Sequence, residues 1–384
     1  MRVGAAAGRS RRTSMGWAPK MLGMVLALGG GSAVFAAPSL EGVKLPPGFK
    51  IEVWTDKVPL AREMAFGPKG TVFVGSLRAM ATPSADKVYA IRTVNGKPVV
   101  STLLSGLNNP NGVAVHDGAL YVAEVNQITR YDDIESHLDK APKGVVIATL
   151  HPEQHHGWRY IAFGPDGKLY VPIGAPCNVC DKVKDGYAQI LRMNPDGSGR
   201  ETIATGVRNS VGFDWQPASK KFWFTDNGRD LLGDNVPDCE LNRLDTAGSD
   251  FGFPYCHAGE VTDPEFGKLG SCAKSVAPAQ KMGPHVAPLG VRFYSGKQFP
   301  AEYQSAAFIA QHGSWNRSAP IGYRIMLAKM NGDKVTSYEP FLTGFLTAGG
   351  KVTGRPVDLQ LLPDGSMLVS DDQEGAIYRI SYKK

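Results

Sequence analysis

Apolar positions along the chain fall in short runs broken by Gly and Pro, mostly with period-two alternation, and helical periodicity of any length is scarce outside the first residues. Leu45 to Trp54 reads as an alternating strand. One unit then recurs: an apolar strand, a Pro/Gly turn, and a second strand of aromatic and β-branched residues. Its copies run Met64 to Val74, Gly112 to Val122, Ile161 to Val171, Val211 to Phe224 and Leu359 to Val369, with a degenerate copy from Gly290 to Ala310. A more variable strand follows several of them, as in Lys87 to Arg92, Gln127 to Tyr131, Gln189 to Met193 and Ala376 to Ser381.

The first four copies lie roughly fifty residues apart, the length of one four-stranded propeller blade. Six copies predict an all-β fold, a six-bladed β-propeller of four-stranded antiparallel blades, as one domain over residues 37–384. The interval from Phe224 to Gly290 is too long for a blade connection and carries few strand signals. Ordered loops of that length are usually functional or pinned by disulfides.

Composition refines this picture at the N-terminus. The formal charge of +6 is misleading, because residues 1–36 hold Arg2, Arg9, Arg11, Arg12 and Lys20 and no acid, and removing them leaves +1. A near-neutral remainder gives no electrostatic case for nucleic acid. The basic start, the apolar run Met21 to Phe35 and Val34-Phe35-Ala36 form an export signal, with cleavage expected after Ala36. Periplasmic or secreted localisation follows, without stable membrane insertion after cleavage; an uncleaved anchor is the alternative. Arg11-Arg12 is a partial twin-arginine pattern, and ordinary secretion stays equally open.

Export makes disulfides plausible for Cys177, Cys180, Cys239, Cys256 and Cys272. Cys256–Cys272 closes a modest loop and is the first choice. Cys177 and Cys180 admit a very small disulfide loop, plain thiols, or a metal or redox pair. Cys239 is then left over.

Residues just ahead of the first strand of each copy converge on one axis when the copies close into a ring. Four polar clusters hold that position: Asn109-Pro-Asn-Gly112, His155-His156, Gly206-Val-Arg-Asn209 and Gly354-Arg-Pro-Val-Asp358. Arg208 and Arg355 can each grip a planar carboxylate through two parallel hydrogen bonds. His156 has an intrinsic pKa suited to proton removal near neutrality. Each of these residues also has a structural reading as a turn cap or a loop hydrogen bond. Trp158 and Trp315 can stack on a flat ligand face or pack between blades.

His156 to Gly174, Gly206 to Gly212, Thr225-Asp-Asn-Gly228, Asp238 to Arg243, Phe251 to Cys256 and Gly354 to Tyr382 together resemble the soluble quinoprotein sugar dehydrogenases. These are the PQQ-dependent glucose, sorbosone and pyranose dehydrogenases. Gln311-His-Gly-Ser-Trp-Asn-Arg317 is most similar to the sorbosone dehydrogenase-like branch. The resemblance implies PQQ- and Ca2+-dependent oxidation of an aldose or related polyol, with electrons passed to an acceptor that the sequence does not name. By position, it implies His156 as general base with Arg208 beside it. Arg208, Asn209, Arg355 and His312 would contact the cofactor, and the backbone carbonyls of Gly228 and Arg229 would hold the Ca2+. The chain departs from the glucose enzymes at Ala175, where they carry an Asp that orients the histidine, near Pro110-Asn111, where they carry a Gln, and around His312, where they carry a Lys. Two other readings compete: a non-catalytic binding propeller of the cell envelope, and a metal-dependent propeller lactonase.

Overall fold

A computed structural model describes residues 38–78 and 85–383; the export signal expected at 1–36 lies outside the described residues. The repeat read from the sequence is present as six antiparallel blades. Blade 1 is Ala61–Phe66, Val72–Ser76, Val88–Val94 and Lys97–Leu104, and blade 2 is Gly112–His116, Ala119–Ala123, Gln127–Tyr131 and Val145–Thr149. Blade 3 is Ala162–Phe163, Leu169–Ile173, Gln189–Met193 and Glu201–Thr205, with Ser249–Asp250 added in parallel at its edge. Blade 4 is Phe213–Trp215, Phe222–Asp226, Asp238–Leu244 and Gln280–Pro284. Blade 5 is Pro288–Phe293, Ala307–Gln311, Arg324–Asn331 and Lys334–Leu342. Blade 6 takes Pro356–Leu361, Met367–Asp371 and Ala376–Tyr382 from the C-terminal end and Phe49–Thr55 from the N-terminal end.

The recurring Pro-x-Gly turn works the same way in three blades. In blade 3 the Gly167 N–H bonds the Gly164 carbonyl at 2.9 Å, and the Gly164 N–H bonds the Lys168 carbonyl at 2.9 Å. Blade 1 repeats this with Gly67, Gly70 and Thr71, and blade 6 with Leu362, Gly365 and Ser366. Pro presets the first turn residue, and the closing glycine takes a left-handed φ of 71° at Gly167.

Two features of the sequence reading change. The interval from Phe224 to Gly290 contains two full strands of blade 4, where few were expected. Asp238–Leu244 reads as polar because Glu240 and Asn242, on one face, are buried polar residues rather than solvated ones. The remainder, around the Cys256–Cys272 disulfide, folds over the edge of blade 3. Asp358, one of the residues expected at the site, instead sits on the buried axis.

On that axis, side chains from the first strands tie neighbouring blades together. Glu63 accepts the Val113 N–H at 3.2 Å and the Ile161 N–H at 3.0 Å. Asp358 accepts the Met64 N–H at 2.9 Å, Asp214 accepts the Phe293 N–H at 2.8 Å, and Arg292 donates to the Leu359 carbonyl at 3.0 Å. Burial raises all three carboxyls, Glu63 well above its ordinary value, and Arg292 supplies the compensating charge. A small apolar layer of Val211, Leu289 and Val357, with Trp158 against it, packs near this axis.

Phe49 anchors the closure of the ring. Its ring meets Phe299, Tyr303, Phe341 and Tyr382 edge-on at 4.8–5.0 Å, filling the seam between blades 5 and 6. We predict that Phe49→Ala costs about 3–5 kcal/mol of stability, read as a lower denaturant midpoint. An unchanged midpoint would mean that the seam does not depend on this ring.

Candidate active site

Loops leaving the inner strands enclose one cavity of about 470 Å³. Its wall includes His156, Arg208, Asn209, Gly228, His312 and Arg355, so six of the seven residues expected at the site face one space. Arg229, the seventh, was expected to contribute its carbonyl, and its side chain points elsewhere. Its guanidinium pairs with Asp263 and, at 3.2 Å, with Glu265, tying its loop to the disulfide-bonded segment. A second lobe of about 290 Å³ shares Trp158, Leu289, His312 and Arg355 with the first and adds Arg62, Arg78 and Asp372.

His156 is buried and takes a left-handed φ of 49°. Such a conformation is uncommon for a residue with a Cβ. Fully buried Arg159 holds this turn, donating to the carbonyls of Val125, His156 and His151 at 2.9–3.3 Å. Gly174 is required opposite, because a Cβ there would fall 2.6 Å from the His156 Cβ. The Nδ1–H donates to the Ala175 carbonyl at 2.8 Å, which places the free lone pair on Nε2. The main chain of residue 175 thus orients the ring, and no carboxylate side chain is needed at that position. Burial first, then the Arg208 cation and His155, hold His156 well below the ordinary histidine value, against the effect of the Ala175 bond. The ring is therefore neutral at neutral pH. His155 packs against it, ring centroids 4.2 Å apart, but does not line the cavity.

Arg208 is caged rather than free to grip a carboxylate. Nε donates to the Asn178 carbonyl at 2.8 Å, and Nη1 to the Asn227 and Gly228 carbonyls at 3.1 and 2.9 Å. Nη2 donates to Asn178 Oδ1 at 2.9 Å and Asp230 at 3.2 Å. These acceptors account for the five N–H groups of a guanidinium. The two-bond clasp expected of Arg208 is thus replaced by a fixed positive charge in the wall. Beneath it, the Asp226 carboxylate accepts the Arg208 and Asn209 N–H groups at 2.8 and 2.6 Å. Asn209 Oδ1 is buried with no partner among the described residues, an acceptor left for a ligand or a bound water.

Arg355 has the opposite character. Nε donates to the His312 carbonyl at 3.2 Å, and among the described residues its two Nη groups meet no protein acceptor. It is the available clasp for an anion. His312 donates from Nε2 to Asp372 at 2.8 Å, and Arg62 pairs with the same carboxylate at 2.9 Å. Burial would raise Asp372, yet His312 and Arg62 hold it well below the usual carboxylate range. Arg62 Nη2 has no partner among the described residues. Sequence reasoning missed Arg62, Asp372 and Asp230. The usable signal was position, since Asp372 closes the hairpin after a repeat strand as Arg62 opens one. Asn109 and Asn111 are struts: Asn109 accepts two backbone N–H groups and Asn111 accepts from Arg62 Nε.

The Gly228 carbonyl keeps a second lone pair beyond its bond to Arg208. The Arg229 carbonyl accepts no hydrogen bond among the described residues. Like the Asp230 carboxylate, which lines the cavity with Gly228, these are oxygen donors, the ligand type that hard cations take. Among the described residues no group of three His, Cys, Asp or Glu side chains could hold a metal ion, so any cation here would depend on main-chain oxygen. Cys239 also lines the cavity as a free thiol, pushed up to about 11 by burial. Trp158 lies under Arg62, 6.0 Å from its guanidinium, and Trp315 stands at the wall 74% exposed.

The TrAA12-like family model matches residues 43–383. An uncharacterized protein of Borreliella burgdorferi is 36% identical over 357 residues, covering 89% of this chain and 91% of its own. The calcium structure of Trichoderma reesei Carbohydrate-Active Enzymes Family AA12 superposes with a TM-score of 0.75 at 21% identity, covering 89% of this chain and 97% of that one. The holo form of the pyranose dehydrogenase PQQ domain from Coprinopsis cinerea gives 0.74 at 18% identity, covering 88% and 97%. At these identities the two structures establish the propeller fold alone.

A direct expectation concerns the imidazole. In an NMR titration of the apoprotein, His156 should titrate below about 6.5, and Arg208→Gln should move its midpoint upward by removing a nearby positive charge. A midpoint at or above the ordinary value would show that the ring is not buried beside that charge.

Proposed function

Since the chain belongs to the TrAA12-like family, we propose that it is a PQQ-dependent, Ca2+-assisted oxidoreductase acting on an aldose or related polyol. The observation that carries this reading is a cavity lined by a neutral, oriented imidazole, a caged cation and a free guanidinium. PQQ is a planar tricarboxylate. The unengaged Nη groups of Arg355, the fixed charge of Arg208 and the orphaned Arg62 Nη2 suit such an anion, and the open Asn209 Oδ1 can accept from its pyrrole N–H. Its presence in the Coprinopsis cinerea structure and calcium in the Trichoderma reesei structure support the same choice of groups. If bound there, PQQ would supply a two-electron acceptor and Ca2+ a Lewis acid, with Arg355 and Asn209 holding the one and the Gly228 and Arg229 carbonyls the other.

The chain's own part is proton handling and positioning. His156 Nε2 takes the proton from the substrate hydroxyl, with Nδ1 fixed on the Ala175 carbonyl so that the ring cannot change tautomer. The low affinity of His156 for protons keeps it competent as a base through neutral and mildly acidic pH. Arg355 and Asn209 hold the cofactor, and His312, fixed by Asp372, completes that wall. The Gly228 and Arg229 carbonyls would hold the Ca2+, with the Asp230 carboxylate offsetting the charge of Arg208 beside it. Trp158 and Trp315 offer flat faces to a sugar ring. The Gln311 to Arg317 segment supports a sorbosone dehydrogenase-like substrate preference. Residues 1–36 would direct export to the periplasm or medium, and no helix among the described residues is long and apolar enough to cross a membrane.

Reconstitution with PQQ and Ca2+, followed by absorbance and dye reduction over a panel of sugars, tests this directly. Neither binding nor turnover would end the proposal. His156→Ala should lower turnover by about 10²–10⁴-fold while leaving PQQ bound, whereas Arg355→Ala should weaken PQQ binding by roughly tenfold or more. Separately, N-terminal sequencing of the exported protein should begin at Ala37; a start at Met1 would exclude cleavage.

A further inference from the structure

Arg208 is held by a loop that the chemistry above leaves unused. Cys177-Asn178-Val179-Cys180 is closed on itself by a disulfide between its end residues. Asn178 meets the guanidinium twice, through its carbonyl from Nε at 2.8 Å and through Oδ1 from Nη2 at 2.9 Å. The same Oδ1 accepts the Asp230 N–H at 2.9 Å, and Nδ2 donates to the Asp230 carbonyl at 3.1 Å. Asp230 then pairs with Nη2 at 3.2 Å. One asparagine therefore fixes both the buried cation and the carboxylate that balances it.

Such an arrangement needs a rigid loop. Ordering a residue costs about 1–2 kcal/mol of backbone entropy, and a cross-link between the loop ends removes much of that freedom beforehand. Cys177 and Val179 also pack against Ala175, Ala188 and Phe253, and the Tyr255 hydroxyl donates to Asp181 at 2.9 Å. Ala175 is the residue whose carbonyl orients His156, so the loop continues directly from one half of the site to the other.

We propose that Asn178, presented by the Cys177–Cys180 disulfide, is the positioning residue that keeps Arg208 on the Gly228 carbonyl and beside His156. Without it the guanidinium would swing away from the wall toward solvent. The catalytic consequence rests on the quinone-dependent reading; the cage itself is a property of the protein without cofactor.

The test uses the full chain without cofactor, with phenylglyoxal as an arginine reagent and peptide mass mapping. Arg355, with its free Nη groups, is the internal reference. In the wild-type protein Arg208 should label at least about tenfold more slowly than Arg355, as expected when its donors are all engaged. Asn178→Ala and the double variant C177S/C180S should each bring Arg208 close to the Arg355 rate, and Asn178→Asp, which keeps the Oδ1 acceptor, should restore protection. With PQQ added, Asn178→Ala should weaken binding by roughly tenfold as the fixed positive charge leaves the wall, and Asn178→Asp should recover most of it. Arg208 labelling that stays slow in both Asn178→Ala and C177S/C180S would overturn the proposal. So would increased labelling that Asn178→Asp fails to reverse. Should Asn178→Ala show no cooperative melt, C177S/C180S decides by the same criterion. A wild-type protein that binds no PQQ would remove the functional reading, and the labelling would then decide the role of Asn178 alone.

Discussion

Closure of the ring is the constraint on which the rest depends. Phe49–Thr55 pairs with Ala376–Tyr382 as the outer strand of blade 6, so the two ends of the domain are tied into one sheet. Once six sheets are locked around one axis, the loops that precede their first strands have one place to go. His156 in blade 3, Arg208 and Asn209 before blade 4, His312 after a blade 5 strand and Arg355 before blade 6 become neighbours because closure permits no other arrangement. The axial side chains reinforce this. Glu63, Asp214, Arg292 and Asp358 each bond the first strand of another blade, so a shift in one blade would unsatisfy buried groups in the next.

Charge in the cavity is handled in two ways. Arg208 is surrounded by carbonyls and Asp230 and has no donor to spare, so it acts through its field. Arg355 keeps its Nη groups free and can reorganise around a ligand. A fixed cation costs little reorganisation during a reaction, while a free one supplies binding. His156 lies beside the fixed one, which together with burial keeps it unprotonated and ready to accept a proton. Arg62, Asp372 and His312 form a third unit, in which a carboxylate bonds a guanidinium and an imidazole.

Much of the fold was legible before any coordinates, because strand alternation and the Pro-x-Gly turn are local. Those signals failed at Asp238–Leu244, whose polar residues Glu240 and Asn242 are buried, bonded to each other and, through Glu240, to the Ala258 N–H. They were also silent on Phe49–Thr55, an evident strand whose partner lies at the far end of the chain. The candidate site was readable as a set of positions but not as a set of roles. His156, Arg208, Asn209, His312, Gly228 and Arg355 do share a cavity, whereas Asn109, Asn111 and Asp358 serve as struts.

By itself the sequence determined the repeat, the number of blades, the Cys256–Cys272 disulfide as the first pairing to expect, and which residues ride at the strand entries. Only the tertiary structure decided which guanidinium is free and which is caged, that a main-chain carbonyl orients His156, and that Arg62 and Asp372 belong to the same wall. The division has a physical cause. Hydrophobic period and turn chemistry are set by residues close together in the chain. The state of a buried polar group is set by whichever donors and acceptors the closed ring brings within hydrogen-bonding distance, and those come from other blades.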